Sequence, residues 1–311
     1  PLVAGQPDAR CGRLASVSPT QPAPLLLRGQ RFDAARPAVM GVINRTTDSF
    51  YVPARFSTIE SAIARADEML GEGVDIIDVG GVRAGQQGDR VDAATEIDRV
   101  RPLLGELRQR HPGVLLSVDT WRARVGRACA DRVDLINDAW AGADSELLMV
   151  AAESGLGYVV SHTGGLPPRT DPVGIDRRPP DAVVDEVLAG LRSGAERALA
   201  AGIPAERIVV DPTLDFGKTT PDSLAIVART WRLVALGYPV LQAISRKDFV
   251  GETLGLPVAE RLEGSLAATA VAAWQGATIF RTHDVRATRR VIDMVATLRG
   301  DRPPACSERG R

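Results

Sequence analysis

Cysteine is scarce in this chain: Cys11, Cys129 and Cys306 are far apart and form no C-x-x-C pair. That excludes a disulfide framework and the usual zinc spacing, and fits a reducing compartment. Net charge is nearly absent, with 38 basic against 39 acidic residues and a balance of -1. Nothing in that balance recommends a nucleic acid or an anionic membrane as partner, which leaves small molecules as the expected ligands. No apolar run reaches the roughly 18 residues of a membrane span, and no signal-peptide core stands near the start, so the expected location is the cytoplasm. Lysine is the scarcest charged residue: all but Lys218 and Lys247 of the 38 basic residues are arginine. A GC-rich genome would by itself produce arginine usage of this kind, yet each lysine stands where a compact ammonium with three rotatable donors has a use that a planar fork lacks.

What is present is a monotonous alternation. Residues 1–23 are rich in Pro, Ser, Gly and Gln without apolar period and read as a flexible N-terminal tail. Residues 301–311, "DRPPACSERGR", read as a flexible C-terminal tail, leaving 24–300 as one domain. Within it come eight short apolar runs: "AVMGVIN" (38–44), "VDIIDVGG" (74–81), "VLLSVDT" (114–120), "VDLINDA" (133–139), "LGYVVSH" (156–162), "RIVVDP" (207–212), "PVLQAIS" (239–245) and "ATIFRTHD" (277–284). Between them lie stretches such as "TIESAIARADEMLGEG" and "DAVVDEVLAGLRSGAERALAAG", apolar at i, i+3, i+4 and i+7, as in amphipathic helices. Runs too short for helices, alternating with helices, predict parallel strands buried on both faces. Eight such units favour an α/β fold of the (β/α)₈ TIM-barrel type over an open doubly wound sheet.

In such a barrel the loops after the strands build the site. The run ends carry Asn44, the loop at 82–88, Asp119, Asn137 with Asp138, His162, Asp211, then Ser245, Arg246 and Lys247, and finally Arg281, His283 and Asp284. Helix capping accounts for some of these polar ends, since Asp and Asn commonly cap the following helix. Eight together, pointing up from neighbouring strands, must share a cavity. Asp119, Asn137 and Asp211 are acceptors suited to the N–H edge of a flat nitrogen heterocycle. Asn44, Lys247, Arg281 and His283 are donors or metal ligands suited to phosphate, and the R-x-H spacing puts Arg281 and His283 on one strand face.

With those residues assembled, the sequence resembles the dihydropteroate synthase family over about Leu25 to Arg299. The resemblance rests on "MGVINRTTDSF", "IIDVGG", "SVDT", "INDA", "VVDPTLDFGK", "SRKDFVG", "ERLEGSLAATAVAAWQG" and "RTHDV", in order. It implies a TIM barrel that joins p-aminobenzoate to dihydropterin-CH₂-pyrophosphate, pyrophosphate leaving first and a pterin cation forming. By resemblance Asp119, Asn137, Asp211 and Lys247 hold the pterin, and Asn44, Arg281 and His283 hold the diphosphate, Asn44 through Mg²⁺. The resemblance also implies a homodimer through the C-terminal helices.

The loops depart from the family pattern. Where E-S-T-R-P-G usually follows the double glycine, this chain has "VRAGQQG", so the positions of the family's Thr and Arg are Ala84 and Gly85. The first loop, "NRTTDSFYVPA", keeps Asn44, Asp48 and Phe50 but has Val52 for the second aspartate and Pro53 and Ala54 for the Gly-Gly hinge. After the seventh run S-R-K-S becomes "SRKD", placing Asp248 where a hydroxyl would face the second substrate, and Asp215 stands where Gly is usual. Each lost charge-assisted contact costs roughly 1.5–3 kcal/mol, about 10- to 100-fold in rate if it is made in the transition state. The expectation is a barrel that binds a pterin-like ligand, with dihydropteroate synthase activity lost or strongly reduced and no catalytic residue assigned. The alternative is an active transferase joining a dihydropterin diphosphate to p-aminobenzoate or another amine, with Arg45 or Arg83 replacing the loop arginine.

Overall fold

The computed structural model describes residues 23–45, 58–82, 91–170 and 179–309. Among the departures from the family pattern, Val52, Pro53, Ala54, Ala84 and Gly85 lie outside the described residues, as do Asp48, Phe50 and Arg83. The chain enters through a small antiparallel hairpin, β1 (Leu25–Leu27) and β2 (Gln30–Phe32), paired Leu25 with Phe32. Eight parallel strands follow: β3 (Ala38–Asn44), β4 (Ile76–Gly80), β5 (Leu115–Asp119), β6 (Leu135–Asn137), β7 (Gly157–Ser161), β8 (Ile208–Asp211), β9 (Leu241–Gln242) and β10 (Ile279–Thr282). Their order is β8-β7-β6-β5-β4-β3-β10-β9. The ring is completed between β8 and β9 by one parallel bridge, Val210 with Val240, and by the Val210 amide donating to the Pro239 carbonyl at 2.9 Å. This is the eight-stranded barrel expected from the runs.

Helices connect the strands: α1 (Ile59–Glu72), α2 (Ala93–Arg110), α3 (Ala123–Cys129), α4 (Glu146–Glu153), α5 (Pro180–Ala200), α6 (Thr220–Ala228), α7 (Thr230–Val234), α8 (Asp248–Leu254), α9 (Leu262–Trp274) and α10 (Val285–Leu298). Their starts are written locally. Thr58 and Asp92 accept from the amides of Ser61 and Thr95, and Thr219 with Asp222 forms a reciprocal capping box on α6. At the far end of α1, Gly73 takes φ 92°, the left-handed conformation that stops a helix.

Alternation along each strand divides the side chains between two cores. One set, including Ile43, Ile77, Val79, Leu116, Val118, Ile136 and Val210, packs outward under the helices. The other fills the barrel: Met40, Ile76, Leu115, Leu135, Val159, Val209, Leu241 and Ile279, closed from below by Leu25, Leu27 and Phe32 of the hairpin. Two residues further along the same inward rows the chemistry changes to Asp78, Ser117, Asn137, Ser161, Asp211 and Arg281, while Ala243 stays in the apolar core. A further step of two brings Asp119, Ser245 and His283, with Asn44 four beyond Met40. The hairpin was not anticipated from the sequence, and β9 is shorter than its run of seven apolar and polar residues suggested.

The double glycine at the end of β4 has two separate causes. A Cβ on Gly80 would stand 3.2 Å from Asn44 Oδ1 and 3.6 Å from Asp119 Cβ, so its absence leaves room between two inward polar side chains. A Cβ on Gly81 would meet Val100 at 2.9 Å and Glu96 at 3.1 Å, because α2 packs directly onto the strand end.

Candidate functional site in the barrel mouth

Strand register brings the expected residues to one level. Asn44 lies opposite Gly80, Gly80 opposite Asp119, and Asp119 opposite Asn137; Ser161 lies opposite Asp211 on the far side. Arg281 rises from β10 into the centre. Its Nε donates to Asp78 Oδ2 at 2.7 Å and its Nη2 to Asp119 Oδ2 at 2.6 Å. Asn137 Nδ2 donates to the same Asp78 Oδ2 at 3.0 Å, so one carboxylate oxygen ties β4, β6 and β10 together. The other oxygens of that pair, Asp78 Oδ1 and Asn137 Oδ1, are buried acceptors without a hydrogen-bond partner among the described residues. Buried acceptors in that condition are costly unless a ligand or water supplies donors.

Asp78 was not singled out by the sequence reading. A signal existed: an acid in the middle of "IIDVG", a strand buried on both faces, has no solvent to face. Lys218 is the other residue whose role became visible only in three dimensions. Its ammonium is buried and donates to the carbonyls of His162 (2.6 Å), Phe216 (2.9 Å) and Thr213 (3.1 Å), holding the loop after β8 against β7. A three-donor ammonium suits that carbonyl nest, and a planar guanidinium does not.

The remaining expected residues divide. Asp211 accepts from the Thr213 amide at 2.7 Å and faces Lys247, which donates to the Leu214 carbonyl and sits 5.1 Å over the Phe216 ring. Phe216 meets Trp140 edge-on at 5.0 Å, so aromatic surface borders the ammonium. His283 Nδ1 lies 3.2 Å from Ser245 Oγ. Asp138 turns to loop duty, taking the Trp140 and Gly142 amides and the Tyr158 hydroxyl. His162 falls on the outer row, its ring packed under Gly190 of α5 and 3.6 Å from Glu186. Arg246 and Asp284 form a bidentate pair at 2.9 and 3.0 Å, which sets the loop after β9 against β10. Asp248 pairs with Arg261 at 2.7 Å and is 78% exposed, so the charge expected at this position is partnered at the rim.

Burial dominates the electrostatics. It pushes the Asp119 carboxyl up to about 7; Arg281 opposes the rise and Asp78 adds to it. Burial also raises Asp211 and lowers Lys247, although the two attract one another. His283 is driven down to about 4 by burial and then by Arg281, so it is a neutral imidazole at neutral pH. For Arg281 burial works against the charge, and Asp78 and Asp119 outweigh it, raising its pKa. The mouth thus offers carboxylates and amide oxygens to N–H groups, with Arg281 already engaged by two of the acids.

The sequence model of the pterin binding enzymes matches residues 40–283. This chain belongs to the pterin binding enzyme family. A Mycobacterium leprae protein named inactive dihydropteroate synthase 2 is 50% identical over 287 residues, covering 92% of this chain and 98% of that one. The dihydropteroate synthase of Bacillus subtilis is 34% identical over 84% of this chain and 88% of its own length. Among solved structures, a Coxiella burnetii dihydropteroate synthase in complex with pteroic acid superposes with a TM-score of 0.80 at 33% identity, covering 90% of this chain and 99% of that chain. The barrel described above is therefore the pterin-binding-enzyme barrel, and its polar mouth lies within the matched span.

Proposed function

We propose that this chain holds a pterin-like heterocycle in the barrel mouth and has no effective dihydropteroate synthase turnover. The observation that carries the binding half is the pair of buried, unpartnered acceptors, Asp78 Oδ1 and Asn137 Oδ1, beside Asp119, Asp211 and Lys247. A flat ring rich in N–H groups supplies the donors they lack. The inactivity half is supported by the name of the Mycobacterium leprae relative and by the loop residues Ala84, Gly85 and Val52 in place of the family's Thr, Arg and Asp. In this reading Asp119, Asn137, Asp211 and Lys247 bind the pterin, and Asn44, Arg281 and His283 border any diphosphate.

Mg²⁺ belongs to this reading only together with a diphosphate. Asn44 Oδ1 and Asp119 Oδ2 border the space over Gly80, at 3.2 and 3.8 Å from where a Cβ would stand, and both are hard oxygen donors. No group of three or more His, Cys, Asp or Glu that could hold a metal occurs among the described residues, so phosphate oxygens would have to complete the shell around Asn44. The ion would balance charge on the diphosphate.

The proposal includes a homodimer and a cytoplasmic location. Val271 and Trp274 on α9 and Met294 and Leu298 on α10 are 47–62% exposed on two helices that pack together, an apolar face suited to a second copy. No helix among the described residues is long and apolar enough to cross a membrane.

The test is titration of a pterin and of dihydropterin-CH₂-pyrophosphate, followed by coupled pyrophosphate release with Mg²⁺ and p-aminobenzoate. Binding without release supports the proposal. Robust release by the unaltered protein replaces it with an active transferase, and failure to bind any pterin removes it. A variant with Gly85→Arg and Asp248→Ser should gain diphosphate affinity or measurable turnover if the loops are what silenced the reaction.

A further inference from the structure

The loop after β8 carries an acid in a conformation that acids seldom adopt. Asp215 has φ +71°, between Thr213 at +52° and Gly217 at +62°. The left-handed region disfavours a residue with a Cβ, although Asp tolerates it better than most. Its side chain makes the bonds that hold it there. Oδ2 accepts from the Asp248 amide at 2.7 Å and, more weakly, from the Phe249 amide at 3.4 Å; Oδ1 accepts from Ser223 Oγ at 3.1 Å. One carboxylate therefore joins the β8 loop, α6 and the chain that follows Lys247.

The same carboxylate governs Lys247. The ammonium is bracketed by the neighbours of Asp215, bonding to the Leu214 carbonyl on one side and lying over the Phe216 ring on the other. Burial lowers the Lys247 pKa, and Asp215 and Asp211 favour its charged form against that burial and Arg281; burial likewise raises Asp215, and Lys247 in turn favours its carboxylate. The second cation of the mouth, Arg281, is bound between Asp78 and Asp119. Among the described residues, both of these cations are already matched by acids of the chain itself.

We infer that Asp215 is a built-in anion of the mouth, so that the second ligand accepted beside a pterin is a neutral or cationic amine rather than a carboxylate. This deepens the function proposed above and rests on it. A ligand carboxylate approaching Lys247 meets an ammonium already compensated by Asp215 and Asp211, and it meets Asp215 itself as a like charge. A carboxamide or amidinium lacks that repulsion, and an amidinium gains from the surplus acids.

The experiment uses the whole 311-residue chain saturated with a pterin whose binding is measured first. Three probes of one shape are then titrated: p-aminobenzoate, p-aminobenzamide and p-aminobenzamidine. The readout is the ratio of their affinities, so any change in pterin affinity cancels. The unaltered protein should take the amide and amidine at least about tenfold more tightly than the carboxylate, the scale of one charge-assisted contact. In Asp215→Asn, which removes the charge and keeps one acceptor oxygen for the Asp248 and Phe249 amides, and in Asp215→Gly, which relieves the backbone, the ratio should move toward the carboxylate by a similar factor. A carboxylate that binds the unaltered protein as tightly as the amidine overturns the inference, and so does a ratio that neither variant moves. Loss of pterin binding itself in the first step removes the underlying function, a result distinct from a wrong charge preference.

Discussion

The lower and upper halves of the barrel interior are built on the same strands, two residues apart, and they do opposite things. Below, Met40, Ile76, Leu115, Leu135, Val209, Leu241 and Ile279 meet the hairpin residues Leu25, Leu27 and Phe32 in a dry core. Above, Asp78, Asn137, Asp119 and Arg281 are joined by hydrogen bonds, with two acceptors unpaired among the described residues. The lower layer gains its stability from burial. The upper one holds buried charge that repays its desolvation only through mutual pairing, an arrangement that makes sense where a ligand supplies the rest. Stability and recognition are separated along the barrel axis rather than between domains.

That separation can be broken most forcefully at Arg281. Arg281→Met leaves the Asp78 and Asp119 carboxyls without their cation and should destabilise the fold by about 3–5 kcal/mol, read from urea midpoints. The loss should be greater at about pH 8 than at about pH 6, because protonation relieves the abandoned carboxyls. The sign follows from linkage. With Asp119 raised to about 7 against an ordinary 3.8, the folded state holds more protons than the unfolded chain across that window, so this group makes stability fall as pH rises. His283, lowered to about 4 from 6.5, acts in the opposite sense between those values, contributing stability that is lost as pH falls.

In the lower layer, Leu115→Ala should cost about 2–5 kcal/mol through lost burial and a residual cavity. Its distinguishing result is on the ligand side: pterin affinity of the folded fraction should stay within about twofold, since distant sites add independently. A large affinity loss would show that the two layers are mechanically coupled.

A smaller effect sharpens the upper layer. Pterin affinity should fall as pH drops below about 7, because ligand N–H groups must then displace the proton held by Asp119. Calorimetry in buffers of different ionisation enthalpy should detect a proton released on binding at pH about 6. The smallest change is expected at the rim, where Asp248→Ser breaks an exposed pair with Arg261 and should alter stability by less than about 1 kcal/mol.

Much of this was legible in the chain. The eight runs gave the barrel because a parallel strand covered on both faces must be continuously apolar, and the run ends gave Asp119, Asn137, Asp211, Arg281 and His283 because inward polarity is confined to the mouth. The hairpin was not legible, since "LLLRGQRF" offers only two three-residue strands whose apolar contacts lie across the barrel floor. Asp78 hid inside a run read only for its hydrophobicity. Partner choice was the least visible: nothing in spacing says that Arg281 turns to Asp78, 203 residues away, or that Arg261 answers Asp248. Those pairings are products of closure, decided by which side chains meet after the backbone is in place.

The ring has a clasp. Between β8 and β9 the ladder narrows to the Val210–Val240 bridge and one neighbouring amide bond, while the adjoining strand contributes only Leu241 and Gln242. Asp211 stands on one side of that joint and Lys247 beyond the other, so a molecule held by both fastens the hoop at its weakest link. Hydrogen exchange should therefore run fastest, among the barrel strands, at the amides of Val210 and its neighbours, and should slow there first when a ligand arrives.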